Sequence, residues 1–368
     1  AKKAEYMSEQ GRAILQASRG GFDPYLFGKY TNKNYDGKHY YEYKNIGIKI
    51  PTWFGIEFKT GWDWNNNQAL FYEPEKYTSN EGTGYLGISI PIGQNMLIDE
   101  RRKILKQGHL AQRAGELEQI SMINKLLYNA SVQYWNWMES YYNKQVYDSS
   151  MTNAQQRFDQ IKTTFFQGEL STIDTIEALS LVQDIQYNLL DATVNETNQR
   201  LLLSNFLWTE EGLPLQVEEY LFPENVSILK QLNKNNIEEI RGELSMLIEN
   251  HPAILKQKNK LAHYQLESTY KTQKLLPKGK LNSSLLSENI QPNYSTNNYR
   301  LGFDISIPLL LRKERGELKQ YKIKLQTTQW DIDLKTVELN TKINNYLLKF
   351  DAIYAVSYTH LRAHETRG

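Results

Sequence analysis

Twice in this chain a strand with one apolar face runs into a long, charged helix. In residues 84–106, GYLGISIPIGQNMLIDERRKILK, the residues Leu86, Ile88, Ile90 and Ile92 alternate with Tyr85, Gly87, Ser89 and Pro91. In residues 299–319, YRLGFDISIPLLLRKERGELK, Leu301, Phe303, Ile305 and Ile307 alternate with Arg300, Gly302, Asp304 and Ser306. A period of two puts alternate side chains on opposite faces of a strand. The tripeptide Ser-Ile-Pro recurs at Ser89–Pro91 and Ser306–Pro308. A one-sided strand in a soluble protein needs a partner to cover its apolar face. The helix that follows carries its apolar residues in a narrow seam, Leu117, Ile120, Ile123, Leu127, Ala130, Tyr134, Trp137 and Tyr141, and much of the rest is charged or polar. Such a helix has little apolar area with which to cover a sheet.

The spacing predicts a helical stretch from Asp99 to about Gln167, on the order of 100 Å at 1.5 Å per residue. A helix that long needs a coiled-coil partner. The chain supplies one after a break at Gly168, in a second helix ending near Trp208, so 99–208 reads as an antiparallel hairpin with its tip near 168–174. The sequence then divides into a first repeat, 1–208, with strands in 22–93, a Pro-containing linker, 209–249, and a shorter second repeat, 250–355. Helices resume near Ile228, and Asn250-His251-Pro252 opens another. Each repeat runs helix, Pro turn, strands, Ser-Ile-Pro, helix, with Asp23-Pro24 matching Leu276-Pro277. The first β segment is longer by about three dozen residues, room for an inserted strand pair or an extended loop.

Composition narrows the function. Lys and Arg number 43 against 42 Asp and Glu, which gives no electrostatic case for nucleic acid. Cysteine is absent, as suits an envelope setting. No apolar run approaches the roughly 18 residues of a membrane-spanning helix. A membrane β-barrel needs only about 9–11 residues per strand, alternate ones apolar. The strand faces Leu86–Ile92 and Leu301–Ile307 are free of charge on the apolar side, as lipid requires. A sheet of about four strands leaves unpaired edges that hydrocarbon does not tolerate. Three copies of about four strands each would close a twelve-stranded barrel, with the helices continuing the tube into water.

The turn Gly168-Glu-Leu-Ser171-Thr-Ile-Asp174-Thr-Ile-Glu-Ala178 resembles the periplasmic tip of the TolC family of outer-membrane efflux proteins. The duplicated strand–Pro–helix exits and Asn250-His251-Pro252, similar to that family's Asn-Pro helix opening, extend the resemblance over nearly all of residues 1–354. It implies an α+β membrane channel-tunnel with internal duplication. Long antiparallel coiled-coil helices would lie in the periplasm of a Gram-negative-type cell and continue into an outer-membrane β-barrel. It implies a homotrimer that docks a periplasmic adaptor (membrane fusion) protein coupled to an inner-membrane pump, as the passive duct of a tripartite efflux or type I secretion system. Relative to the family, the N-terminal signal and first helical stretch and the second-half hairpin are missing. Residues 356–368 read as a non-native tail.

By this resemblance Gly168, Ser171, Asp174 and Ala178 form the adaptor-docking tip, with Asp174 near the closed aperture. From the residues themselves, Gly168 permits the tight turn, and Ser171 caps the returning helix with Asp174 at its third position. In a barrel, Leu86, Ile88, Ile90, Leu301, Phe303, Ile305 and Ile307 face lipid, and Arg300, Asp304 and Ser306 face the lumen. Trp53, Trp62 and Trp64 form an interfacial belt or pack a core. Arg101, Arg102, Arg312 and Arg315 mark a membrane–water junction or are ordinary solvated charges. No nucleophile, metal or phosphate motif is present, so no catalytic, cofactor or metal site is expected. The competing reading is a soluble periplasmic coiled-coil adaptor or scaffold.

Overall fold

The computed structural model describes residues 2–66, 78, 79, 81–225, 234–288 and 293–365. The helix start expected near Ile228 lies outside them. The elements run α1 (Lys2–Arg19), β1 (Tyr25–Tyr35), β2 (Lys38–Pro51), β3 (Glu57–Asn65), β4 (Thr83–Gly93), α2 (Glu100–Phe166), α3 (Thr172–Ser204), α4 (Lys234–Glu249), α5 (Pro252–Gln273), β5 (Lys278–Ser287), β6 (Tyr299–Ser306) and α6 (Arg312–Glu365). Two compact units result, Ala1–Ile120 with Leu244–Gly368, and Ser121–Glu243. They cut across the two sequence repeats.

The first unit holds one antiparallel sheet of six strands in the order β1 to β6. Six strands replace the expected four or so. The extra pair belongs to the long first β segment, where a hairpin turns at Asp36 and Gly37, both at positive φ. The two repeats meet where β4 pairs β5 from Gly84↔Ser287 to Gly93↔Lys278. Pro91 lies inside β4, yet costs no ladder bond to β3, because that pairing ends at Glu57↔Ser89. Neither strand runs straight into its helix. Short links with positive φ at Asn95 and Leu311 redirect the chain into α2 and α6.

Beside the sheet, α1, α2, α5 and α6 pack in the same unit. Asn259 Nδ2 donates to the Leu110 carbonyl across 2.9 Å, and Lys256 pairs with Glu118 at 2.7 Å. Lys271 pairs with Glu317 at 2.8 Å, joining α5 to α6. His251 caps α5, its Nδ1 accepting from the Ala253 N–H at 3.2 Å, and Pro252 fills the first helical position, where no N–H is needed. The helix expected to end near Tyr354 continues to Glu365, since residues 355–365 contain neither glycine nor proline.

The second unit is the far part of the α2–α3 hairpin with the linker folded on it. Its core is Trp137, Leu203 and Val217, with Tyr134 packed against them. Trp137 Nε1 donates to Glu196 at 3.0 Å, and Arg200 both pairs with Glu196 at 3.5 Å and donates to the Val217 carbonyl at 3.0 Å. The buried Glu196 carboxylate thus joins α3 to α2, and Arg200 beside it joins α3 to the linker.

Candidate functional site

The registers sort the sheet into two faces of opposite chemistry. On one face Ile48, Thr60, Leu86, Leu285 and Tyr299 stand in a row across β2 to β6, and Ile50, Phe58, Ile88, Ser283 and Leu301 form the next. Ile90, Leu281 and Phe303 follow, and Ile305 lies beyond them opposite Gly279. On the other face are Lys49, Lys59, Asp63, Tyr85, Ser89, Lys280, Arg300, Asp304 and Ser306. Ile307 falls just after β6, outside the strand.

The burial is inverted relative to a water-soluble sheet. Leu301 is 64 % exposed, Phe303 57 % and Ile46 57 %, whereas Asp63 is 3 % exposed and Ser89 2 %. An uncovered apolar face this large marks contact with lipid or another protein. The polar face is concave. Arg300 of β6 reaches Asp63 of β3 at 3.3 Å, although three strand spacings of about 4.8 Å separate them in a flat sheet. Asp63 also accepts from Tyr43 at 2.8 Å and from Asn45. Ser89 donates to Asn282 at 2.8 Å, and Asn282 donates to Asp304 at 3.0 Å. These bonds satisfy the polar groups across strand boundaries and hold the curl. Tyr85 lies over Gly47 and Gly61 of neighbouring strands; a Cβ on Gly61 would stand 2.5 Å from its hydroxyl. This is the aromatic cover of strand glycines that pins register in curved sheets.

Apolar residues collect at both ends of the exposed face. Trp53 and Phe54 sit in the β2–β3 turn, Met96 and Leu97 in the β4–α2 link, and Leu309 and Leu310 in the β6–α6 link, all exposed. Trp62 and Trp64 stand toward the opposite end, on β3. The first turn of α2 is tied beneath the sheet: Arg101 meets Glu57 at 3.3 Å, and Arg102 pairs with Asp99 at 3.4 Å and donates to the Asn95 carbonyl at 2.7 Å. Arg312 and Arg315 begin α6. Nearby, burial pushes the Tyr270 phenol up to about 12, helped by Glu100 and Glu267.

The turn between α2 and α3 holds the sequence's tip residues together. Gly168 has φ +83°, a left-handed conformation that a side chain would strain. Ser171 caps α3, and Asp174 Oδ2 accepts both the Ser171 N–H at 2.8 Å and its hydroxyl at 2.7 Å. Ala178 is buried one turn on. The Ser171 hydrogen bonds hold the Asp174 carboxyl below the usual aspartate range. A depressed folded pKa means the unfolded chain binds the extra proton, so the cap contributes fully above the unfolded value of about 3.9 and is lost as pH falls through the lower folded one. We expect amide exchange at 171–175 to speed up on acidification in that window, and Asp174→Asn to remove the pH dependence. Exchange insensitive to pH there would refute the cap's role.

The contact between α1 and α2 carries almost no hydrophobic signal in the sequence. Ala4, Ser8, Gly11, Leu15 and Ser18 form a buried heptad-spaced stripe on α1. It presses on Gly108 and Gly115 of α2 so closely that a Cβ at Gly115 would lie 2.5 Å from the Met7 carbonyl. The stripe is mostly small residues, so it carries little hydrophobic signal; only its spacing of four and three betrays it.

No protein-family model matches the chain, and no curated protein sequence does. Solved structures do. The outer membrane protein VceC from Vibrio cholerae superposes with TM-score 0.59 at 11% identity, over 95% of this chain and 75% of that one. The fold is the TolC-like channel-tunnel. CusC, whose structures follow folding and transmembrane channel formation, aligns with TM-score 0.55 at 13% identity, over 92% of this chain and 69% of its own. The CmeC outer membrane channel of Campylobacter jejuni aligns with TM-score 0.50 at 14% identity, over 94% and 64%. In a channel-tunnel the sheet is barrel wall and the helices are tunnel wall, which gives the inverted sheet a physical context. No helix among the described residues is long and apolar enough to cross a membrane.

Proposed function

We propose that three copies of this chain form the outer-membrane exit duct of a tripartite efflux or type I secretion system, with the helices in the periplasm and the energy supplied by an inner-membrane pump. The observation that carries this reading is the sheet's inverted burial. Leu86, Ile88, Ile90, Leu301, Phe303, Ile305 and Ile307 face lipid, and the concave side with Arg300, Asp304 and Ser306 lines the lumen. The exposed Trp53, Phe54 and leucines at one end of the apolar face and the half-buried Trp62 and Trp64 toward the other are the interfacial belts that such a wall requires. The turn at Gly168, Ser171, Asp174 and Ala178 is the docking point for the adaptor.

Barrel closure follows from the edges. Among the described residues β1 and β6 each have one neighbour, so each edge needs another copy. Six strands from each of three copies make eighteen, not the twelve expected from four. At a tilt near 40° and a strand spacing of about 4.8 Å, such a wall measures ~35 Å across its backbone.

The chain has no cysteine, so every disulfide can be placed. In the full-length protein, single cysteines at 25–33 on β1 combined with cysteines at 300–306 on β6 are expected to give disulfide-linked dimers and trimers in the detergent-extracted outer-membrane fraction. Links from β6 to β3 of another copy instead would mean that the β1–β2 hairpin leaves the wall. Unlinked chains of monomer mass in the soluble periplasmic fraction would support the scaffold reading and end this one.

A further inference from the structure

The polar face of the sheet is unevenly charged, although the chain as a whole is balanced at net +1. Among the described residues between β1 and β6, the concave face carries Lys29, Lys33, Lys49, Lys59, Lys278, Lys280 and Arg300. Against them stand Glu57, Asp63 and Asp304. The carboxylates are already engaged. Asp63 is buried against Arg300 at 3.3 Å, and Glu57 is shared by Arg101 at 3.3 Å and Lys59 at 3.8 Å. Asp304, which stands opposite Lys280, accepts from Asn282.

Lys49 and Lys59 are paired directly across β2 and β3. Like charges directly opposite in a sheet repel; Lys49 turns away over the Phe27 ring of β1, 4.5 Å from its centroid. Lys59 Nζ leans instead toward Asn282 of β5, at 3.4 Å, the residue two beyond Lys280. Lys59 shares Glu57 and Lys280 stands opposite Asp304, yet the concave side keeps more cations than carboxylates, and Lys49, Lys59 and Lys280 bring that excess together on three different strands. Rings of basic side chains are how pores prefer anions over cations.

We propose that the Lys49–Lys59–Lys280 cluster makes this barrel an anion-preferring path, suited to cargo that bears carboxylate or phosphate groups. The inference rests on the duct reading above and specifies which cargo it favours. In a closed trimer the cluster repeats three times around the lumen, and its field acts on any ion that enters.

The test is the reversal potential of the purified full-length trimer in planar bilayers under a KCl gradient. The unmodified protein is compared with Lys49→Gln/Lys59→Gln/Lys280→Gln and with the corresponding triple arginine variant. The expected result is a chloride-to-potassium permeability ratio at least about twofold lower in the glutamine variant, and retained by arginine. Both variants keep the strand register, and the glutamines relieve repulsion, so misfolding is not the expected outcome; detergent-stable trimer mass checks it. An unchanged ratio in the glutamine variant overturns the proposal while leaving the duct intact. A trimer that inserts and never conducts overturns the duct reading, and this inference with it.

Discussion

Ile88→Arg is expected to deplete the membrane-extracted oligomer. Ile88 sits on β4 in the middle of the apolar face, between Phe58 of β3 and Ser283 of β5. An arginine on the lipid side of a barrel costs about 2–4 kcal/mol near the midplane. The penalty recurs in every copy of a trimer, so the loss compounds. Arginine at Ser306, on the concave face and exposed, has water for its charge and should cost about 0–1 kcal/mol. The measurement is urea unfolding of the detergent-extracted particle together with its native mass. Equal stability of the two variants would mean the Ile88 face meets water, and the barrel assignment would fall.

The second large effect is a reversal of an ordinary rule. Gly→Ala inside a helix normally stabilises by about 1 kcal/mol, because alanine restricts the unfolded backbone and suits the helix. Gly316, in α6, has open space where a Cβ would go, and Gly316→Ala should show that gain. At Gly115 the same methyl would lie 2.5 Å from the Met7 carbonyl and 3.3 Å from its carbon, both backbone atoms of α1. Backbone cannot swing aside as a side-chain end can, so the helices must separate. Gly115→Ala is expected to destabilise by about 1–3 kcal/mol, the usual cost of overpacking, outweighing the propensity gain. Thermal unfolding of the two variants side by side decides it. Two stabilised variants would show that α1 does not press on α2 as closely as the structure has it.

Much of this architecture is legible in the residues. The alternation at Leu86–Ile92 and Leu301–Ile307 marks strands because apolar side chains every second residue have no other economical arrangement. The break at Gly168 with Ser171 and Asp174 behind it marks a turn and a cap, since a helix start needs an acceptor for its free N–H groups. Pro252 marks a first helical turn for the related reason that it has no N–H to lose. All three are local, set by groups within a few residues of each other. The strand count was less legible. The alternation at Ile46–Ile50 and at Phe54–Phe58 was visible, but only pairing shows that these residues are wall and not loop. The tight turn around Gly55 that joins β2 to β3 depends on Thr52, whose N–H and hydroxyl both donate to the Ile56 carbonyl and whose own carbonyl accepts from the Gly55 N–H.

The sequence alone determined the period of each element, the duplication of its strand–helix exits, and the segregation of apolar from polar side chains along each strand. Those follow from bonds and faces within one segment. Tertiary structure alone decided which strands are neighbours, and therefore that Arg300 reaches Asp63 from three strands away and curls the polar face inward. It alone set Lys49 against Lys59, and α1 against the backbone of α2 through a stripe of small residues with almost no hydrophobic signal. Register and close approach are relations between segments distant in the chain. No local pattern encodes them, because they are fixed only when many weak contacts along both partners are satisfied together.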